Sequence, residues 1–299
     1  MPALFFKIKR KINKLFHPAW GEILMLHRVV QKQSQLQANR QMEVTPEFLE
    51  KRILDYQARG YRFVSLDEVH EIVSTQKRLK QKFVCFTFDD GYMDNYELAY
   101  PVFQKFNCPF AIYITTDFPD GKALLWWYVL EDLLMSNTEL KLGDGSYYDC
   151  STIEKKDKTF DAIRQKIFNF PAENMVQKLN QLFVNQSHSF EGKNKALALT
   201  WTQIEALAKN DLCTIAAHTV SHGVLPNMSL EDVVLELRNS KYQLEKHINK
   251  PVLHFAYPYG AWNDSVLNQV IAAGFKTAVL GNGGKVRKGD DTFMLKRIN

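Results

Sequence analysis

Apolar and polar positions along this chain follow two periods. Short apolar runs of strand length recur at 22–27, 61–66, 82–89, 110–115, 213–218, 254–259, 277–280 and 293–298. The run at 82–89 is apolar almost throughout and stops on Asp89-Asp90-Gly91, which predicts a buried strand opening at a solvent-facing mouth. Between these runs the apolar spacing turns helical, over 45–59, 67–74, 93–106, 126–135, 201–210, 229–248 and 264–273. Thr45 is placed to cap the first of these helices, with Pro46 at its first position, Phe48 among its first inward residues and Gly60 as its stop. Pro101 is expected to interrupt the helix over 93–106. Ser229 and Asp232 open the long helix in the manner of a capping box, and Gly274 stands where a left-handed residue ends the last one. The polar stretch that follows His27, up to Met42, predicts a loop. The stretch from about 120 to 200 is less regular, with helical patches near 157–169 and 172–184, and predicts an insertion.

Strand and helix alternate over most of the length, which argues for a parallel sheet with outer helices. The number of strands suits a closed or nearly closed α/β barrel. Chemistry in such barrels gathers at the C-terminal ends of the strands. His27, Asp89, Asp90, His218 and Tyr259 all fall at such ends.

The 299 residues can bury a large core, and hydrophobic and charged contents of 45% and 24% are ordinary for a globular protein. The formal net charge of +5 gives no reason to expect a nucleic-acid partner. No stretch reaches the roughly 20 apolar residues of a membrane-spanning helix. Cys85, Cys108, Cys150 and Cys213 form no CxxC pair and read as buried core residues, which fits a reducing, cytoplasmic setting. Residues 1–18 stand apart. Leu4, Phe5, Phe6, Ile8, Ile12, Leu15 and Phe16 fall on one side of a helix, and Lys7, Arg10, Lys11 and Lys14 mostly on the other, with no acid. Charges interrupt every apolar core that a signal peptide would need. A basic amphipathic helix of this kind suits an anionic membrane surface, and equally a packed helix with a solvated face. The membrane alternative places the chain at the inner face.

Imidazole nitrogen and carboxylate oxygen together suit a divalent cation. His218 and His222 are four apart, a spacing that puts both on one face of a helical turn. One of the two aspartates completes three ligands, and the other remains as general base toward a water that the cation acidifies. Adjacent residues on an extended segment point different ways, so the two acids divide these roles, in an order the spacing leaves open. Thr219 stands where a zinc protease carries glutamate, which excludes that class.

Three segments carry a resemblance. Thr87-Phe88-Asp89-Asp90-Gly91, His218-Thr219-Val220-Ser221-His222 and Phe255-Ala256-Tyr257-Pro258-Tyr259-Gly260 resemble, in order and spacing, the first three motifs of the NodB-type polysaccharide deacetylases, carbohydrate esterase family 4. The resemblance runs from about Ile23 to the C-terminus and is weakest over 120–200. It implies a distorted (β/α)7-type barrel with a partly helical insertion. It also implies hydrolysis of the acetamido group of an N-acetylated sugar with a divalent metal, most commonly zinc, with cobalt, manganese or nickel as substitutes. Carried over, Asp89 is the base, and Asp90, His218 and His222 hold the metal.

The chain departs from the pattern in three places. Phe255 stands where the third motif usually begins with arginine, no histidine follows His254 to supply the usual late acid, and an Asp-x-x-Asp-Trp motif is absent. Ile23-Leu24-Met25-Leu26-His27-Arg28-Val29 resembles the N-terminal motif of the branch containing poly-N-acetylglucosamine deacetylases, which makes His27 the expected general acid. Arg297, at the end of the last strand, is a substitute for the missing arginine or an ordinary surface charge. Tyr259 matches the residue whose backbone N–H holds the oxyanion, a role that tolerates substitution. Trp127, with Trp126 beside it, offers a sugar-stacking face, and Tyr92 and Pro258 are expected substrate contacts. The expected substrate is an N-acetylated glycan or lipid-linked sugar of cell-surface polysaccharide synthesis. An O-acetyl esterase and an inactive carbohydrate-binding relative are the alternatives.

Overall fold

The computed structural model describes residues 19–76, 79–170 and 174–299. The amphipathic helix expected over 1–18 lies outside the described residues. Among the described residues, nine strands form the main sheet: β1 (Ala19–Leu26), β2 (Arg62–Phe63), β3 (Phe83–Phe88), β4 (Phe110–Ile114), β5 (Cys213–Ala217), β6 (His254–Ala256), β7 (Thr277–Asn282), β8 (Val286–Arg287) and β9 (Leu295–Arg297). Seven of them run parallel in the order β1-β3-β4-β5-β6-β7-β9. A parallel bridge between Leu24 and Ile298 closes the ring, with Met25 N–H donating to Ile298 O at 2.8 Å and Ile298 N–H donating to Ile23 O at 2.9 Å. β2 extends the sheet beside β3, and β8 pairs antiparallel with β1. This is the expected (β/α)7-type barrel.

Period-two alternation decides which side chains enter the barrel. Ile23, Cys85, Ala111, Tyr113, Ala216, Val279 and Leu295 form one buried cluster, together with Leu66, Val69 and Ile72 of the helix Leu66–Thr75. Their neighbours on the same strands, such as Leu24, Phe86, Ile112, Ile215 and Phe255, pack outward against the surrounding helices. Continuing the inward parity past the strand ends leads to Met25 and His27, Thr87 and Asp89, and Ala216 and His218. The same rule that fills the core therefore delivers polar groups to one rim. Phe255 lies on the outward side, so a residue at that position does not reach this rim.

Several local expectations change. Phe48 is exposed, and Leu49, Ile53 and Tyr56 are the inward residues of the helix Pro46–Ala58. Thr45 does cap it, accepting the Phe48 N–H. The polar stretch before Met42 carries a short helix, Gln37–Arg40, and the strand pair Arg28–Val29 with Glu43–Val44. The expected helix over 93–106 divides into a π-helical turn, Asn95–Ala99, and the α-helix Tyr100–Lys105. Pro101 sits in the first turn of the latter, where a missing N–H is tolerated. The insertion comprises a hairpin of Glu139–Lys141 with Tyr147–Asp149 and three helices, Ile153–Phe168, Met175–Leu182 and Phe190–Leu197. It shares its own apolar core with the helix Trp126–Ser136, built around Trp126, Leu130, Phe160, Ile163 and Phe183. All four cysteines are buried and unpaired.

Candidate active site

A cavity of about 320 Å³ stands at the C-terminal rim of the barrel. His27, Asp89, Asp90, His218 and Arg297 line one side of it, and Trp126, Trp127, Phe160, Arg164 and Phe168 another. Phe160, Arg164 and Phe168 are spaced by four on the helix Ile153–Phe168, so one stripe of the insertion forms a wall of the cavity.

Asp89 and Asp90 diverge by a turn rather than by strand alternation. Asp89 keeps extended pairing, its N–H donating to Leu26 O at 2.9 Å. Asp90 and Gly91 are both left-handed, with φ of 77° and 99°. A Cβ at Gly91 would lie 3.1 Å from Ile114 Cδ1, so glycine answers both the backbone angle and the close neighbour. Both carboxylates therefore serve the same cavity, whereas an extended segment would have sent them to opposite sides.

Asp89 is buried and gripped by Arg297, with Nη1 to Oδ1 and Nη2 to Oδ2 both at 2.6 Å. The remaining Arg297 donors reach Thr87 Oγ1 at 3.2 Å and Leu280 O at 2.7 Å. Arg297 is 1% exposed, so it is not a surface charge. Burial by itself would raise the Asp89 carboxyl, but the guanidinium overrides it and holds the group below the ordinary carboxylate range. The position left apolar at Phe255 is thus answered from the last strand.

The histidine pair does not lie on a helical turn. His218 follows β5, and the loop to His222 contains two left-handed residues, Thr219 (φ 68°) and His222 itself (φ 60°). For a β-branched residue such a φ is strained. The loop is held where it is: Thr219 Oγ1 accepts the His222 N–H at 3.0 Å, and Thr115 Oγ1 donates to His218 O at 2.9 Å. Glu236, from the helix Leu230–Ile248, accepts the N–H groups of Val220 and Ser221 at 2.8 and 3.0 Å and the Ser221 hydroxyl at 2.7 Å.

These three side chains meet the requirements of a cation site. His218 Nδ1 lies 2.8 Å from Ala256 O, a group that only accepts, so Nδ1 carries the proton and Nε2 presents a lone pair. That Nε2 faces Asp90 Oδ1 at 3.5 Å, and His222 Nε2 faces the same oxygen at 3.2 Å. Asp90 Oδ1 is buried and has no hydrogen-bond partner among the described residues. A bare imidazole lone pair against a carboxylate oxygen is repulsive unless a cation lies between them. The three ligand atoms lie within 4.8 Å of one another. Ligands about 2.1 Å from one zinc ion sit roughly 3.4 Å apart in tetrahedral geometry, close to the two separations from Asp90 Oδ1.

The profile of the polysaccharide deacetylase family matches residues 76–143 and 144–278 of this sequence. The chain belongs to this family. YxkH of Bacillus subtilis, a polysaccharide deacetylase by name, is 20% identical over 281 residues, covering 94% of this chain and 71% of the relative. Solved structures share the fold. The Streptococcus pyogenes deacetylase PplD, in complex with acetate, superposes with a TM-score of 0.62 at 21% identity, over 93% of this chain and 90% of that one. IcaB from Ammonifex degensii gives 0.62 at 16% identity, over 94% and 91%. A de-N-acetylase from Aggregatibacter actinomycetemcomitans gives 0.59 at 16% identity, over 93% and 94%.

Within this deacetylase fold the other expected residues fall as follows. His27 lines the cavity beside the acidic pair. Burial lowers its proton affinity, Asp90 and Asp89 raise it, and the net direction is down. Its backbone is clamped from the π-helical turn: Asn95 Nδ2 donates to His27 O at 2.8 Å, and Asp94 accepts the Val29 N–H at 2.9 Å and Arg28 Nε at 2.7 Å. Tyr259 lies in a 3₁₀ turn after β6, with φ 57°, and not at the strand end itself. Its N–H has no protein acceptor among the described residues. Its ring is not a bystander, since it packs edge-on against His222 at 4.6 Å and Phe168 at 5.4 Å. Gly260 beside it is left-handed, and a Cβ there would stand 2.7 Å from Gly281 N. Trp127 and Tyr92 line the cavity and are joined by a bond from Trp127 Nε1 to Tyr92 Oη at 3.1 Å. Trp126 is mostly buried in the core of the insertion. Pro258 is buried and does not line the cavity, because the turn points the flanking Tyr257 and Tyr259 there instead. Thr115, Asp94, Asn95 and Glu236 were not anticipated. Asp94 and Asn95 stand three and four residues after the first motif ends at Gly91, and that nearness is the one sequence signal that points to them.

Proposed function

We propose that this chain is a metal-dependent deacetylase that removes the acetyl group from an N-acetylated sugar of a cell-surface glycan or its glycolipid precursor. The observation that carries this reading is the set of three acceptor atoms on Asp90, His218 and His222, turned toward one point beside an ionised, arginine-held Asp89. A divalent cation held there, zinc foremost, supplies Lewis acidity toward the acetyl carbonyl and toward water.

The protein groups then have separate tasks. Asp89 Oδ accepts the proton of the attacking water, and Arg297 keeps that carboxylate ionised and oriented. The Tyr259 N–H donates to the carbonyl oxygen as negative charge gathers on it. His27 delivers a proton to the departing sugar nitrogen, which leaves as an amine while acetate is released. Trp127 and Tyr92 bound the sugar in the cavity. The de-N-acetylase among the structural relatives supports the amide over the ester reading. Among the described residues no helix is long and apolar enough to cross a membrane. We place the enzyme in the cytoplasm, with its basic N-terminal sequence toward the inner membrane face.

Acetate and free amine released from N-acetylglucosamine oligosaccharides test this function. Zinc should support release, and a chelator should abolish it reversibly. Amine-free release, or release untouched by chelation, would contradict it.

A further inference from the structure

The catalytic cavity continues past the cation site. Beyond His222 and Tyr259 lies a second cavity of about 200 Å³, which shares these two residues, both tryptophans and Phe168 with the first. Its walls are largely apolar, like those of the first. Leu124, Phe170, Met175, Val176, Val224 and Met228 contribute to its walls, drawn from the insertion and from the loop after the histidine pair. Phe168, Val176 and Tyr259 are among the exposed large apolar side chains of the molecule, at 38%, 56% and 47%. Apolar groups left in the open beside a functional cavity mark a surface that something apolar covers. Asp117, Lys122, Ser221 and Asn227 also line it; Asp117 is half-buried, and the other three are exposed to solvent.

A sugar ring in this chamber would turn most of its hydroxyls toward leucine, phenylalanine, methionine and valine side chains that offer them no partner, with Asp117, Lys122, Ser221 and Asn227 as the polar exceptions. A hydrocarbon chain meets no such penalty and gains with every methylene removed from water. The sequence carries an independent observation in the same direction: the stretch over 4–16 combines bulky apolar residues with five basic ones and no acid, the composition of a segment that lies on an anionic lipid surface.

We propose that the second chamber receives the hydrocarbon chain of a glycolipid whose N-acetylated sugar lies over Asp90, His218 and His222. This rests on the deacetylase reading and names its substrate class. The reaction itself is unchanged: water adds to the acetamide, the C–N bond breaks, acetate leaves, and the lipid-linked amine remains.

The test uses the full chain with methyl, butyl and octyl N-acetylglucosaminides below their micellar concentrations. Acetate release and, separately, quenching of intrinsic tryptophan fluorescence in metal-free protein are followed. KM and Kd should fall at least tenfold from methyl to octyl, with kcat nearly constant. The ceiling is about fourfold per fully buried methylene, the equivalent of about 0.8 kcal/mol. Met228→Asp should flatten the dependence on chain length, and Met228→Leu should keep it. Flat KM and Kd across the wild-type series, or affinity that rises with the number of sugars instead, would overturn the proposal while leaving the deacetylase reading intact. Chain-length-dependent binding without acetate release from any glycoside would uphold the chamber and defeat the deacetylase reading.

Discussion

Asp89 and Asp90 are chemically identical neighbours, and their surroundings separate them. Asp89 places both oxygens on Arg297, whereas Asp90 Oδ1 has no hydrogen bond among the described residues and faces two imidazole nitrogens. The proposed assignment of Asp89 as base and Asp90 as ligand rests on that difference. It predicts that Asp89→Asn lowers turnover at least about 10²-fold on every substrate, because the water loses its proton acceptor. His27→Ala should be selective. Loss of an acid hurts a poor amine leaving group by at least about 10²-fold, but spares p-nitrophenyl acetate, whose phenolate leaves unaided. Equal losses on amide and activated ester would remove His27 from the acid role. Arg297 gives a pH signature. Its guanidinium depresses the Asp89 carboxyl against a burial effect that pushes upward, so base activity is present above that depressed value and lost as pH falls through it. In Arg297→Ala the largest opposition to that push is gone, with only the weaker effects of His218 and His27 left, and the acid limb of kcat/KM should move to higher pH. An acid limb that stays in place would show that Arg297 does not set the ionisation of Asp89.

At the level of elements, the site is made by strand ends and then fixed by helices. β1, β3, β5 and β9 deliver His27, the aspartates, His218 and Arg297 to one rim. The helix Leu230–Ile248 and the π-helical turn Asn95–Ala99 supply Glu236 and Asn95, which bind backbone rather than substrate. Glu236→Ala should therefore leave the fold intact and weaken zinc binding by about 10- to 100-fold, the usual consequence of losing an outer support, as read by competition with a chromogenic chelator. Unchanged affinity would mean that the loop between His218 and His222 holds its shape alone. The difference between what the sequence disclosed and what it concealed also lies at this scale. Contiguous strand-end motifs made Asp89, Asp90, His218 and His222 legible. Glu236 was concealed because a glutamate in an amphipathic helix looks like a solvated charge. The helical reading of the His218–His222 spacing failed because two left-handed residues fold the same four-residue interval into a loop, and neither of them is glycine. Arg297 was visible only as one charge at a strand end, since its partner lies 208 positions away.

Across the molecule, the barrel and the insertion have different legibility for the same reason. A parallel sheet buried on both faces writes continuous apolar runs, and the eight runs in the sequence correspond to the eight parallel strands of the main sheet, whereas the two-residue antiparallel β8 leaves no such run. The insertion buries its own smaller core with short helices and a hairpin, so its pattern is broken and its role as a wall of the cavity could not be read. Closure of the ring depends on Ile298 meeting Leu24, which also brings Arg297 to Asp89, so the last strand completes both the fold and the site. The central claim is that this closed barrel holds one cation between Asp90, His218 and His222. Anomalous diffraction at the zinc edge from zinc-soaked crystals tests it most directly. The account predicts one strong peak bounded by Asp90 Oδ1, His218 Nε2 and His222 Nε2. A saturating soak that leaves this point without a peak, or places zinc only elsewhere, would contradict it.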